Sequence, residues 1–274
     1  FRTGPWDARP PGKPELPWKW GCGNGTISES AMGEHDFDAK GRTGLESSGA
    51  IRKISFVVPV FNEEENIPHL VREIGAVAGK MSHPHEILLV DDGSRDGTLS
   101  AIKALAAADP ALKYVSFSGN RGQSAALYAG FLSASGDVIV TLDGDLQNDP
   151  ADSPAMLSLY GEYDMINGWR HNRQDTLSKK IGSWIGNTFR NRMTWETIRD
   201  TGCSLKVMRA SMLQRIRMYR GLHRFLPTLM RLEGARVIEV KVNHRPRVRG
   251  TSKYSNLRRG VEGFYDVLSV RWMI

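Results

Sequence analysis

From Ile54 onward, short apolar runs alternate with stretches of helical period. Residues 54–60, 86–91 and 137–142 are nearly unbroken apolar segments, the pattern of strands buried on both faces. Further strands are predicted over 112–117 and 164–168, with helices over 63–79, from Thr98 to Leu105, and over 123–133. Alternation of β and α at this spacing predicts an α/β fold: a mostly parallel, Rossmann-like sheet flanked by helices. Three of the strands stop abruptly at acidic or polar residues, namely Asn62-Glu63, Asp91-Asp92-Gly93 and Asp143-Gly144-Asp145. Carboxylates gathered at the carboxyl ends of parallel strands point to a nucleotide and a divalent cation on one sheet edge.

Beyond Arg170 the period changes. Leu177, Ile181, Trp184, Ile185 and Phe189 recur at helical spacing, and so do Leu257, Val261, Phe264, Tyr265, Leu268 and Trp272. Basic residues flank both stripes, Lys179, Lys180 and Arg190 in the first and Arg258 and Arg259 in the second. Such helices either pack on the core or lie on an anionic membrane surface. Residues 1–50 are rich in Gly, Pro, Ser and charge and read as a disordered tail. The expected division is that tail, a catalytic domain over 51–254, and a C-terminal amphipathic helix over 255–274.

With 274 residues, 40% of them hydrophobic, the chain can bury one substantial core. Its net charge of +7 calls for an anionic partner. Nucleic acid is disfavoured, because carboxylates at the proposed cleft would repel a phosphate backbone. Two cysteines, Cys22 and Cys203, provide no disulfide framework, which fits a cytoplasmic setting. No window has the unbroken apolar length that spans a bilayer, and the start lacks the order of a signal peptide. The expected location is the cytoplasm, at the cytoplasmic face of the membrane.

Asp143 and Asp145 offer hard oxygen ligands suited to Mg²⁺ or Mn²⁺, and such an ion can clamp a diphosphate. Gln147, two residues on, could orient a phosphate or a water. Asp91, Asp92 and Gly93 form a turn that could receive a base or ribose, whereas Asp96 reads as a helix N-cap. Pro59, Asn62 and Glu63 either line the same slot or cap the next helix.

These residues also carry a resemblance. Val58-Pro59-Val60-Phe61-Asn62-Glu63, Val90-Asp91-Asp92-Gly93-Ser94 and Asp143-Gly144-Asp145-Leu146-Gln147 resemble the family 2 glycosyltransferases of GT-A fold. Asn120-Arg121-Gly122-Gln123, Asp200-Thr201-Gly202-Cys203 and the run from Arg247 to Tyr254 narrow the resemblance to the polyprenyl-phosphate branch. It implies that Pro59, Asn62, Glu63, Asp91, Asp92 and Gly93 hold the nucleotide of a UDP- or GDP-sugar donor. Asp143 and Asp145 would hold the metal, with Gln147 at the diphosphate. Arg121, Arg247 and Lys253 would grip phosphates of donor or acceptor, and Asp200 would stand near the acceptor. Many members carry transmembrane helices after the basic motif, and this sequence reaches Ile274 without one.

The implied reaction is inverting attack on the anomeric carbon of the donor. A polyprenyl phosphate acceptor is already ionised near neutral pH and needs no strong base. A saccharide hydroxyl acceptor does need one, and Asp200 is the first candidate.

Overall fold

The structure, a computed structural model, describes residues 50–171, 186, 188–246 and 256–274, together with residues 18–21; for 18–21 and 256–262 it describes the backbone alone. Arg247, Lys253 and most of the stripe from Leu177 to Ile185 lie outside the described residues.

Eight strands form one sheet: β1 (Trp18–Gly21), β2 (Ile54–Val60), β3 (His85–Asp91), β4 (Leu112–Phe117), β5 (Val138–Thr141), β6 (Met165–Arg170), β7 (Lys206–Arg209) and β8 (Val237–Val242). Their spatial order is β1-β4-β3-β2-β5-β7-β6-β8. Only β1 and β7 run against the others, so the carboxyl ends of six strands share one edge. The parallel β4-β3-β2-β5 core matches the predicted strands to within a residue or two. Three strands were not foreseen. Trp18–Gly21 lies within the stretch read as a disordered tail, yet it pairs antiparallel with β4. In β7, Lys206 interrupts the apolar run, so the segment did not read as a buried strand, although Lys206 is only 3% exposed. In β8, Glu239 and Lys241 alternate with Val and Ile, the pattern of an edge strand.

Odd and even positions of the buried strands feed two separate cores, as side chains alternating across a sheet must. Phe56, Val58, Ile87 and Leu89 pack with helix α1 (Ile67–Ala78) and helix α2 (Thr98–Ala108). Val57, Leu88 and Val90 face helix α3 (Gln123–Ser133) and the helix Leu226–Leu232. Gly130 of α3 makes this approach possible, since a Cβ there would lie 2.4 Å from a Val57 methyl. The result is three layers with the sheet in the middle.

At the amino-terminal edge, Glu86 ties the strands together. It is 1% exposed and accepts from Lys53, Lys113, Ser55 and both the backbone and hydroxyl of Ser135. Burial alone would raise this carboxyl, but those donors outweigh it and hold it at about 2.

Among the described residues, no helix is long and apolar enough to cross a membrane. The C-terminal helix Asn256–Met273 packs Val267 and Val270 inward and leaves Tyr265 and Trp272 65% and 92% exposed.

Candidate active site

At the carboxyl edge, the loops after β2 and β3 are stitched to each other. The amide of Asn62 donates to Ser94 Oγ, its Oδ1 accepts from the Arg95 amide, and the Glu63 amide donates to Thr98 Oγ1. Asn62 takes a φ of 53°, a left-handed conformation that Asn tolerates better than most residues. Glu63 accepts from the Asn66 side chain at 2.6 Å. Asp96, read as the N-cap of α2, stands one residue before the actual N-cap, Gly97, and accepts from the Thr98 amide at 3.0 Å.

β2 runs one residue past Pro59, to Val60. Val60 O accepts the Asp92 amide on the β3 side, so Pro59, one residue back, turns its ring nitrogen toward β5. There the β2–β5 pairing has already stopped at Val57 and Thr141, so the missing N–H costs no bond. Beyond that point the two strands part, and the Asp143–Asp145 turn occupies the gap. Gly144 fits beneath β2 because a Cβ there would meet Val60 Cγ1 at 2.8 Å.

Asp91 and Asp92 are both buried, and both shape the loops around the cleft. Asp91 accepts from the Ser94 amide and from Ser116 Oγ. Asp92 accepts from Asn120 Nδ2 at 2.9 Å, the Arg121 amide at 2.6 Å and the Gly122 amide at 2.9 Å. It thereby folds the Asn120–Gly122 loop against the end of β3. Burial raises the Asp92 carboxyl despite these donors. Gly93 lets the two loops touch: with φ +71°, its missing Cβ would lie 2.4 Å from the Gly119 carbonyl carbon. The Arg121 side chain is exposed above this junction.

The predicted metal pair sits at the end of β5. Asp143 Oδ1 accepts from Gln123 Nε2 at 2.8 Å, which anchors it to the first turn of α3. Burial first, and the neighbouring charge of Asp145 second, push the Asp143 carboxyl up to about 6. A carboxylate whose proton affinity is raised by burial and by a neighbouring carboxylate makes a site that gains from a cation. Asp145 Oδ1 accepts the Gln147 amide, and Leu146 between them is held at φ 61°. Leu is unusual in this conformation, so the surrounding structure must impose the turn. Among the described residues, no group of three or more His, Cys, Asp or Glu could hold a metal. Asp143 and Asp145 could supply two oxygen ligands to a divalent cation. Gln147 lies beside the pair but is anchored to the segment that follows β8, its carbonyl accepting the Arg245 amide at 2.8 Å. Arg245 itself is held by Glu73 at 2.7 Å and Asp149 at 2.8 Å.

Asp200 is held in a bidentate ion pair: Arg170 Nε reaches Oδ2 and Nη2 reaches Oδ1, both at 2.8 Å. Burial would raise Asp200, but Arg170 outweighs it and keeps the carboxyl low. Lys206 is buried beneath this pair and donates to the carbonyls of Thr201 and Cys203. Its charge, like that of Arg170, reaches Asp143. The sequence reading missed Gln123, Arg170 and Lys206 as individual residues. Arg170 stands at the carboxyl end of a predicted strand, the position that had singled out the acids. Gln123 was legible as a helix start following Gly122 at φ 92°.

A family model described as Glycosyl transferase family 2 matches residues 55–217, more than half of the chain. The dodecaprenyl-phosphate galacturonate synthase of Rhizobium johnstonii is 41% identical over 228 residues, covering 81% of this chain and 67% of that protein. An undecaprenyl-phosphate 4-deoxy-4-formamido-L-arabinose transferase of Salmonella paratyphi A is 37% identical over 221 residues, covering 80% and 67%. The fold is similar to glucosyl-3-phosphoglycerate synthase of Mycobacterium tuberculosis in complex with Mn²⁺, UDP and phosphoglyceric acid. That likeness has a TM-score of 0.63 at 17% identity and covers 80% of this chain and 78% of the other. A Pyrobaculum calidifontis mannosyltransferase in complex with GDP-Man and Mn²⁺ gives a TM-score of 0.57 at 19% identity, covering 81% and 66%. The chain belongs to glycosyl transferase family 2, is a glycosyltransferase of GT-A fold, and has polyprenyl-phosphate sugar transferases among its relatives.

Proposed function

We propose that the protein moves a sugar from a nucleotide-sugar to a polyprenyl phosphate, with inversion at the anomeric carbon. The observation that carries this reading is the Arg170–Asp200 pair. Asp200 was the candidate base for a hydroxyl acceptor, yet both its oxygens are taken by a guanidinium and its proton affinity is lowered. Such a carboxylate is a poor general base near neutral pH. An acceptor phosphate arrives ionised and asks only to be positioned.

Within this reading, Asp143 and Asp145 would hold Mg²⁺ or Mn²⁺ at the donor diphosphate. When bound, the ion supplies charge stabilisation for the departing nucleoside diphosphate. Gln123 fixes the Asp143 carboxylate, and Asp92 fixes the loop that carries Arg121 beside the donor phosphates. Asn62, Glu63, Asp91 and Gly93 shape the wall of the nucleotide slot through their bonds to one another's loops. Arg247 and Lys253 are assigned to phosphate contact by resemblance.

The lipid acceptor places the protein at a membrane surface, on the cytoplasmic face. Support comes from exposed aromatics: Trp195, Phe264, Tyr265 and Trp272 lie 48–92% exposed, and Phe189 stacks on Phe264 at 5.4 Å. Arg271 sits 4.2 Å over Trp195, combining a cation with apolar surface as an anionic interface favours.

The test is transfer of radiolabelled sugar from a panel of UDP- and GDP-sugars to undecaprenyl or dolichyl phosphate, with Mn²⁺ and with EDTA. An organic-soluble product that EDTA abolishes is expected. Transfer to a saccharide hydroxyl but not to the lipid would overturn the assignment of the acceptor.

A further inference from the structure

The segment after β8 is zippered onto the acidic turn that follows β5. The Asn243 amide and side chain donate to Asp152 at 2.7 and 3.0 Å, and His244 pairs with Asn148 in an isolated antiparallel bridge. Arg245 comes next and holds Gln147 twice through its backbone. Its amide donates to the Gln147 carbonyl at 2.8 Å, and its own carbonyl accepts from Gln147 Nε2 at 3.4 Å. Gln147 in turn donates its amide to Asp145 Oδ1 at 3.2 Å. Gln147 thus stands between Arg245 and a predicted metal ligand.

The Arg245 side chain spans a wider gap. Nη1 donates to Glu73 at 2.7 Å, and Nη2 reaches Asp149 at 2.8 Å. Glu73 belongs to α1, the helix that follows the Asn62–Glu63 loop, and Asp149 closes the turn that begins at Asp143. Asp149 Oδ1 also accepts the Ala151 amide at 3.0 Å, so this carboxylate is itself fixed. The Arg245 side chain is 38% exposed, so two such pairs add little to overall stability, and their effect falls on geometry. A guanidinium serves two carboxylates from separate nitrogens in one plane, which a single ammonium cannot match. Without it, Glu73 and Asp149 would face each other as like charges.

We propose that Arg245 is a positioning residue for the donor, resting on the assignment of Asp143 and Asp145 to the metal at its diphosphate. Its side chain ties the helix behind the nucleotide loop to the metal turn, and its backbone fixes Gln147 against Asp145. Arg245 acts through these groups and not by contact with the donor.

The experiment is calorimetric titration of UDP and of GDP into the full chain, with Mn²⁺ and without it, which requires neither acceptor nor turnover. Mn²⁺ is expected to tighten nucleotide binding in the parent. Arg245→Ala should weaken binding about tenfold with Mn²⁺ and leave it within about twofold without the ion, because the residue supports the metal turn. Arg245→Lys should recover part of the loss, since it restores the charge without the fork. Glu73→Gln should weaken Mn²⁺-dependent binding on its own yet add nothing in the Arg245→Ala background, because it acts through the guanidinium. Thermal melts of the variants close to that of the parent separate lost binding from lost fold. Parent-like binding in Arg245→Ala, where Asp145→Asn erases the Mn²⁺ effect, overturns the role of Arg245 alone. Equal weakening with and without Mn²⁺, or losses that multiply in the double variant, also overturns it. If Mn²⁺ has no effect on the parent, the metal assignment falls and the proposal with it.

Discussion

The two edges of one sheet treat an acid in opposite ways. At the amino edge, Glu86 is surrounded by donors and is held at about 2. At the carboxyl edge, Asp143 has Gln123 as a donor, faces the charge of Asp145, and is pushed up to about 6. The first arrangement satisfies a charge and binds strands together. The second leaves a charge in want of a cation, which is how a binding site differs from a structural ion pair. The linkage signs follow. Glu86, lowered from 4.5, contributes stability that is full above that pH and is lost as pH falls through about 2. Asp143, raised from 3.8, does the reverse: its contribution is full below that pH and is lost as pH rises through about 6.

The largest expected effect comes from Asp145→Asn, which should lower sugar transfer on the order of a thousandfold, read as kcat in a radiolabel assay. Glu86→Gln should cost about 3 kcal/mol of stability in urea melts and leave kcat near the parent value, because it acts at the other edge. Asp143→Asn should move stability the opposite way, raising it in metal-free protein by about 1–3 kcal/mol while lowering transfer on the order of a hundredfold. If both substitutions destabilise alike, the contrast between the edges fails. Asp92→Asn offers an amide where three donors converge and should loosen the Asn120–Gly122 loop. The expected outcome is a rise of about tenfold in donor KM with a smaller change in kcat.

The carboxyl-edge half of this contrast was legible in the sequence, for reasons particular to each element, whereas Glu86 was not singled out. The strands β2, β3 and β5 are buried on both faces, and continuous apolar runs cannot easily be read otherwise. Their acidic endings were visible because a carboxylate following such a run has to emerge at the sheet edge. Asp91 and Asp92 stand at the end of β3, as the apolar run implies, but their partners were not foreseen. The sequence does not show that the Asn120–Gly122 loop returns to Asp92 across 28 or more positions. Asp200 was likewise found without its partner, because Arg170 reaches it across 30 positions and no local pattern links the two. β7 escaped notice because its buried Lys206 obtains its partners from carbonyls of the preceding loop, a compensation that exists only once the chain is folded.

The most direct test of the carboxyl-edge site is titration of Mn²⁺ in the presence of UDP, following free Mn²⁺ by electron paramagnetic resonance. One site is predicted at about pH 7.5, weakened roughly tenfold about one unit below the Asp143 pKa, where a proton must first be displaced. Asp145→Asn should remove it, and Glu86→Gln should leave it intact. Unchanged Mn²⁺ binding in Asp145→Asn, at either pH, would contradict the account.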